Sequence, residues 1–352
     1  MKKKNLSAKK TIHNFYKTKL RNNKIQKIYK EFKKNLNENN PRKICIAVSG
    51  GYDSLALAFL SKCYSIEKNI KSYFYTVDHK LRSESLNEAK KTRYVLKKFG
   101  ITCKILTIKN KIKSTNIQSK AREARYKLIY KECYKNKINT LLTAHHQNDL
   151  IEGFFIRLIR GSGLKGLSSF SKTINQNTKN TNVNILRPLL SINKNQLIYI
   201  INNTFKFHID DKSNQNDIFL RIRIRKLLNL LNKEGLNLEK FKKTINNLKS
   251  SNETIEFYVA ENKKLNSKYI KNKKTVILNN NFFNHPYEIV FRSLTEIIHE
   301  VGNKTNFSRG NKINRLIQNV CSGSNKIKLT LSGCIIEKIN KSLIIRPEFK
   351  NI

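Results

Sequence analysis

Apolar and polar positions fall into alternating blocks along this chain. Residues 44–48 (ICIAV) are apolar at every position and rich in β-branched side chains, the pattern of a strand covered on both faces of a parallel sheet. Residues 55–60 (LALAFL) follow with good helix formers, so a strand, a short turn and a helix are expected in succession. Strand-like runs recur near 72–77, 102–108 and 140–144, and helix-like runs near 54–66, 84–99, 117–135 and 147–160. Such alternation predicts a parallel α/β sheet with helices on both faces. Residues 25–37 (IQKIYKEFKKNLN) space their apolar positions for a short amphipathic helix, and 1–24 read as a basic extension. The polar stretch 171–184 is expected to be an exposed loop, with order resuming at 187–190 and a helix over 194–203. Charged residues 210–226 read as a hinge. Beyond it, 227–271 is mostly helical in pattern and 326–346 suits two strands joined by a turn, so a smaller α+β domain is expected over 227–352.

Composition narrows the class of protein. The 352 residues have room for two cores, and no apolar stretch approaches the length of a membrane span. The first residues (MKKKNL) lack the apolar segment of a secretory signal. Six cysteines at 45, 63, 103, 133, 321 and 334 form no C-x-x-C pair, which suits reduced thiols in a cytoplasmic protein and gives no zinc or iron–sulfur spacing. A net charge of +47 points to a polyanionic partner, although the abundance of Lys beside Asn and Ile also reflects compositional drift. Against that Lys background the 16 arginines and six aspartates are informative: ten Arg lie between Arg82 and Arg225, and every Asp lies between Asp53 and Asp217. The chemistry is expected in that central window.

The turn after the first strand is Ser49-Gly50-Gly51-Tyr52-Asp53-Ser54. Backbone N–H groups, hydroxyls and the positive end of a helix dipole meet there, an arrangement suited to phosphate. Its adjacent glycines and missing Lys exclude a Walker A loop, and its spacing excludes the dinucleotide fingerprint. At the end of the fourth expected strand come His145 and His146, followed by Asp149 and Glu152 three residues apart on one helix face. In an open parallel sheet both segments border the crevice beyond the strands' carboxyl ends.

The turn SGGYDS resembles the pyrophosphate-binding loop of the ATP-pyrophosphatase (PP-loop) superfamily, which splits ATP between its α and β phosphates. With it, VDHKLR (77–82), KAREARY (120–126), TAHHQNDLIE (143–152), RLIRGSGLKGL (157–167), ILRPLL (185–190), and DDKSN followed by FLRIRIR (210–225) occur in order. Together they resemble the bacterial tRNA(Ile)-lysidine synthases, strongly over about 42–228. The resemblance implies a Rossmann-like, adenine nucleotide alpha hydrolase-like domain over 25–209, a hinge at 210–226 and a tRNA-binding domain at 227–352. It also implies adenylation of the wobble cytidine (position 34) of the CAU-anticodon tRNA(Ile), followed by attack of free lysine to give lysidine. Codon reading then passes from AUG to AUA and identity from Met to Ile.

For the residues, the resemblance implies that Ser49, Gly50, Gly51, Tyr52 and Ser54 hold the pyrophosphate end of ATP and that Asp53 carries Mg²⁺. Arg122 and Arg125 are expected near the polyphosphate or adenylate, and His145 or His146 at the adenylate. Asp149 and Glu152 are expected to grip the lysine ammonium, with the identity of the base left open. The pattern departs from the family at Asp78, where a His is usual, at Asn148, usually Asp, and at Gly153, usually Thr. Two other readings compete: a PP-loop enzyme installing sulfur in tRNA, and a non-catalytic basic RNA-binding protein.

Overall fold

The computed structural model describes residues 2–80, 83–108, 117–169, 173–178, 181–210, 220–270, 274–303, 310–322 and 327–348. Parts of two motifs, 81–82 and 211–219, and parts of the expected loop 171–184 lie outside them. The chain divides into two compact units, Met1–Asn237 and Leu238–Ile352.

The first unit opens with α1 (Lys2–Leu20) and α2 (Asn23–Asn37). The expected basic extension is therefore helical and, from Thr11 onward, packed: Tyr16 is buried and its hydroxyl donates to Phe99 O at 2.9 Å. Asn22 caps α2 by accepting from the Lys24 and Ile25 amides, and Ile25, Ile28, Phe32 and Leu36 fall on its buried face. There follow β1 (Lys43–Ala47), α3 (Tyr52–Glu67), β2 (Lys71–Asp78), α4 (Ser85–Lys98), β3 (Cys103–Thr107), α5 (Ile117–Lys135), β4 (Thr140–Leu142), α6 (Gln147–Ile159) and α7 (Leu164–Ser168). The unit closes with β5 (Thr173–Thr178), β6 (Thr181–Leu186), α8 (Lys194–Asn203) and α9 (Leu220–Lys233).

Its six strands order β3-β2-β1-β4-β6-β5. The first five are parallel and β5 returns antiparallel on β6. The continuous apolar run of β1 has its reason here: Ile44 and Ile46 enter the core beneath α2, α3 and α8, while Cys45 enters the core beneath α5. Strand order reverses direction between β1 and β4, so the crevice lies at their carboxyl ends, where the SGGYDS turn and His145-His146 emerge.

One expectation about this unit is corrected. The polar stretch 171–184 contributes strands, because Val183 and Ile185 alternate with Asn182 and Asn184 and bury one face of β6. The compact units divide after Asn237, and in the first of them α9 packs along α6 and buries Ile222, Ile224 and Leu228.

The second unit contains α10 (Leu238–Asn266), β7 (Ser267–Ile270), β8 (Thr275–Leu278), a 3-10 turn (Asn280–Phe283), α11 (Tyr287–Gly302), α12 (Gly310–Cys321), β9 (Lys328–Leu331), β10 (Cys334–Ile339) and β11 (Ser342–Pro347). Its antiparallel sheet orders β7-β8-β11-β10-β9, so the stretch expected as two strands holds three. Leu278, Leu294, Ile298, Ile313, Ile336 and Ile345 lie at its core. Among the described residues no helix is long and apolar enough to cross a membrane.

Candidate active site

The turn between β1 and α3 is shaped from within. The Ser54 hydroxyl accepts from the Ser49 and Gly50 amides at 3.0 and 3.1 Å and donates to Gly51 O at 3.0 Å. Ser54 is thus the tie that folds the loop, and the amides of Ser49 and Gly50 turn inward onto it. Gly50 sits at φ +95°, and a Cβ there would lie 2.6 Å from Thr92 Oγ1 and 2.8 Å from Ile209 Cδ1. The Gly50 carbonyl accepts from the Ile209 amide at 3.0 Å, so the segment after α8 braces the turn from behind. Beside it the Tyr52 ring stacks on His208 at 3.8 Å. The open side belongs to the start of α3: Gly51 is its N-cap and supplies no side-chain cap, leaving the first amides of the helix to an anion.

Asp53, in the first turn of α3, reaches across to the second strand end. Its Oδ2 lies 3.5 Å from His146 Nε2, while its Oδ1 is buried without a hydrogen-bond partner. His146 is the N-cap of α6; its Nδ1 accepts from the Asn148 amide, which places the ring proton on Nε2, toward Asp53 and, at 3.6 Å, Asp149. Asp149 Oδ2 returns the cap by accepting from the His146 amide at 3.0 Å. Burial opposes the charge on His146, yet Asp53, Asp149 and Glu152 outweigh it and hold the imidazole above its ordinary pKa. For Asp149, burial favours the neutral acid, but His146 and Arg221 prevail and hold it below the usual carboxylate range.

The acid pair is already matched. Glu152 Oε2 accepts from Arg221 Nε at 2.5 Å and its Oε1 from Arg225 Nε at 2.6 Å, while Arg221 Nη2 donates to Asp149 Oδ1. Arg221 and Arg225 lie one turn apart on α9 and grip an acid pair one turn apart on α6. Neither arginine stands out as an acid-binding residue from the sequence alone. A signal for the pair is present in FLRIRIR, where three of the scarce arginines alternate with apolar residues.

A second group surrounds His145. Arg122 Nη2 lies 3.4 Å from His145 Nε2 and 3.4 Å from the Tyr126 hydroxyl. Since a guanidinium only donates, Nε2 accepts, and the opposite nitrogen donates to Thr143 Oγ1 at 3.0 Å. Burial, with help from Arg187, Arg122 and Arg221, lowers the His145 pKa to about 3 against the pull of Asp149. The imidazole is therefore neutral at any working pH. Buried Arg187, unassigned from the sequence, interacts with Arg122, Arg157 and Asp149. On α5, burial and Arg122 lower the pKa of Arg125, whose Nε is buried without a partner. So many cations around one neutral ring suit a polyanionic ligand.

The departures have local structural roles. Asp78 is buried at the end of β2, where its Oδ1 accepts from the Lys80 amide at 3.0 Å and the Ser85 hydroxyl at 2.6 Å. Asn148 Oδ1 accepts from the Lys194 amide at 3.4 Å and so ties α6 to the start of α8.

Comparison with known proteins agrees with this geometry. Residues 21–231 match the family model of the PP-loop domain. The chain is 35% identical over 324 residues to the tRNA(Ile)-lysidine synthase of Orientia tsutsugamushi, covering 89% of this chain and 71% of that one. It is 32% identical to that of Rickettsia bellii over 332 residues, 92% of this chain and 74% of the relative. Among solved structures, the U34-tRNA thiolase of Methanococcus maripaludis shares the fold with a TM-score of 0.51 at 19% identity, covering 66% of this chain and 78% of that one. By its PP-loop domain and by identity running through both of its units, the chain belongs to the tRNA(Ile)-lysidine synthase family.

Proposed function

We propose that the chain joins free lysine to C2 of the anticodon cytidine of the CAU-anticodon tRNA(Ile) in two steps at the crevice between β1 and β4. The single observation that supports this best is the chain of contacts Asp53–His146–Asp149, which links a phosphate-binding turn to an acid pair. In the first step the cytidine C2 oxygen attacks the α phosphorus of ATP and pyrophosphate leaves toward the first amides of α3. Those donors face charge that grows during the reaction, where one aimed hydrogen bond contributes about 3–4 kcal/mol. Asp53 fits a divalent cation, having one buried carboxylate oxygen with no protein partner; Mg²⁺ held there would neutralise phosphate charge. Among the described residues no cluster of three metal-binding side chains occurs, so phosphate and water oxygens would complete that ion's shell.

Arg122, with neutral His145 behind it, holds the adenylate, and Arg125 and Arg187 add positive charge around it. In the second step the lysine ε-amine attacks C2 and AMP leaves with the bonding pair. With an intrinsic pKa near 10.4, only about one such amine in 2,500 is unprotonated at pH 7, so the ammonium must be bound by carboxylate and then deprotonated. Asp149 and Glu152 supply that carboxylate. We assign tRNA binding to the second unit and place the enzyme in the cytoplasm.

Sulfur transfer is the weaker reading, because it needs a reactive cysteine pair or an iron–sulfur cluster, and the six cysteines form no C-x-x-C pair. Burial pushes the Cys45 and Cys63 thiols up and Cys103 to about 12, which leaves them inert. Pyrophosphate release from ATP, measured with tRNA and lysine present and with each omitted in turn, tests the proposal. Full turnover that requires both is expected, and lysine-independent product formation would overturn it.

A further inference from the structure

We propose that Arg221, braced by Arg225, is an internal stand-in for the substrate ammonium, held in the acid pocket until an amino acid displaces it. This inference rests on the lysine-transfer reading above. Three observations carry it.

First, the pocket is full. Both oxygens of Glu152 and both of Asp149 accept hydrogen bonds, three from the two guanidinium groups and one from the His146 amide. Asp149 Oδ1 and Glu152 Oε2 converge on a single guanidinium, so the acids already define one cation site. A substrate ammonium bound by the same pair must take the place of Arg221.

Second, exposure is lopsided. The Asp149 and Glu152 side chains are 12% and 4% exposed, whereas those of Arg221 and Arg225 are 41% and 35% exposed. The acids are built into the protein and the arginines reach them from the solvent side. A guanidinium that withdraws regains water at little cost, while bare buried acids have no such recourse. The pocket must therefore always hold a cation, first the protein's own and then the substrate's.

Third, the cation site is wired to the phosphate turn. Behind the acids, His146 Nε2 lies 3.6 Å from Asp149 and 3.5 Å from Asp53. An amine replacing Arg221 would enter at one end of a charge chain whose other end faces the nucleotide.

The test is the lysine KM with ATP and tRNA saturating. A resident competitor lowers apparent affinity in proportion to its occupancy, so Arg221→Gln should reduce the lysine KM by about threefold or more, whereas Arg221→Lys, which returns an ammonium to the pocket, should not. L-Arginine should compete with lysine in the Arg221→Gln enzyme at concentrations that leave the wild type uninhibited. A variant-free arm covers misfolding: phenylglyoxal labelling of the wild-type enzyme, read by mass spectrometry, should speed up at Arg221 when lysine is saturating. A lysine KM unchanged or raised in Arg221→Gln, or labelling unchanged or slowed by lysine, would make Arg221 a fixed part of the pocket and overturn the inference alone. A wild-type enzyme that releases pyrophosphate yet never incorporates lysine would overturn the functional reading, and this inference with it.

Discussion

Each unit of the molecule holds an arginine in a polar network, and the two networks are built in opposite senses. In the second unit Arg292 is 5% exposed; it donates to Asn252 Oδ1 at 2.7 Å and to Glu288, whose side chain is 46% exposed. In the crevice of the first unit the acids are the buried partners, and Arg221 and Arg225 reach in from outside. Where the arginine is buried, both helices that frame it are fixed by their own packing, and neighbouring Asn262 and Ser293 continue the network between α10 and α11. Where the acids are buried, the exposed cations are the exchangeable part. Burial thus separates a network that specifies a fold from one that awaits a ligand, although each contains an arginine and a carboxylate.

Asp53→Ala gives the sharpest break. Its unpartnered oxygen has no structural duty, so the loss should fall on pyrophosphate release, by about 10²–10³-fold on the scale of one aimed electrostatic contact, with tRNA affinity retained. A filter-binding assay beside a pyrophosphate assay separates the two, and equal losses in both would count against the assignment.

Gly50→Ala comes next. The left-handed backbone costs a side chain about 1–2 kcal/mol, and the approach to Thr92 and Ile209 adds to it. A lower melting temperature together with a large loss of activity is expected, since the turn and the segment after α8 would part. Normal activity at a normal melting temperature would show that the turn tolerates the distortion.

Arg292→Ala probes the other side of the comparison. Leaving Asn252 Oδ1 without its donor should cost about 1–3 kcal/mol in denaturant unfolding, while pyrophosphate release per folded molecule stays near wild type. A catalytic defect without a stability loss would erase the distinction between the two networks.

How much of this was readable from the chain alone follows from the same physics. The SGGYDS turn, its flanking strand and helix, and the placement of His145-His146 at a strand end were legible because local pattern and tertiary role coincide there. The strands at 173–178 and 181–186 were not, because alternation of only Val183 and Ile185 among Asn and Thr is a faint signal. The role of Arg221 and Arg225 is not legible in the FLRIRIR motif, because their partners lie 69 to 73 residues away and only folding brings α9 onto α6. Ser54, expected to face phosphate, also ties the turn together through its hydroxyl, a structural duty that composition cannot reveal.

A further expected effect, on stability and not on catalysis, concerns acid. His145 is neutral in the folded protein down to about 3, below its ordinary value, so the folded state binds fewer protons than the unfolded one in that window. Its contribution is present above about pH 6.5 and is lost as pH falls toward the folded value. Asp149, also lowered, acts in the same direction below the usual carboxylate range, and His146, raised, opposes both, contributing at low pH and losing its share as pH rises through its folded pKa. His145→Gln should flatten the loss of stability between pH 6.5 and 4, measured by urea unfolding at several pH values; an unchanged slope would mean the imidazole is charged in the fold.

The most direct test of the account is to incubate the purified protein with ATP, lysine and CAU-anticodon tRNA(Ile), and to analyse AMP, pyrophosphate and the mass of the anticodon fragment. The account predicts AMP and pyrophosphate in equal amounts and one lysine added at the anticodon cytidine. Formation of ADP in place of AMP, or an anticodon fragment of unchanged mass despite ATP cleavage, would contradict it.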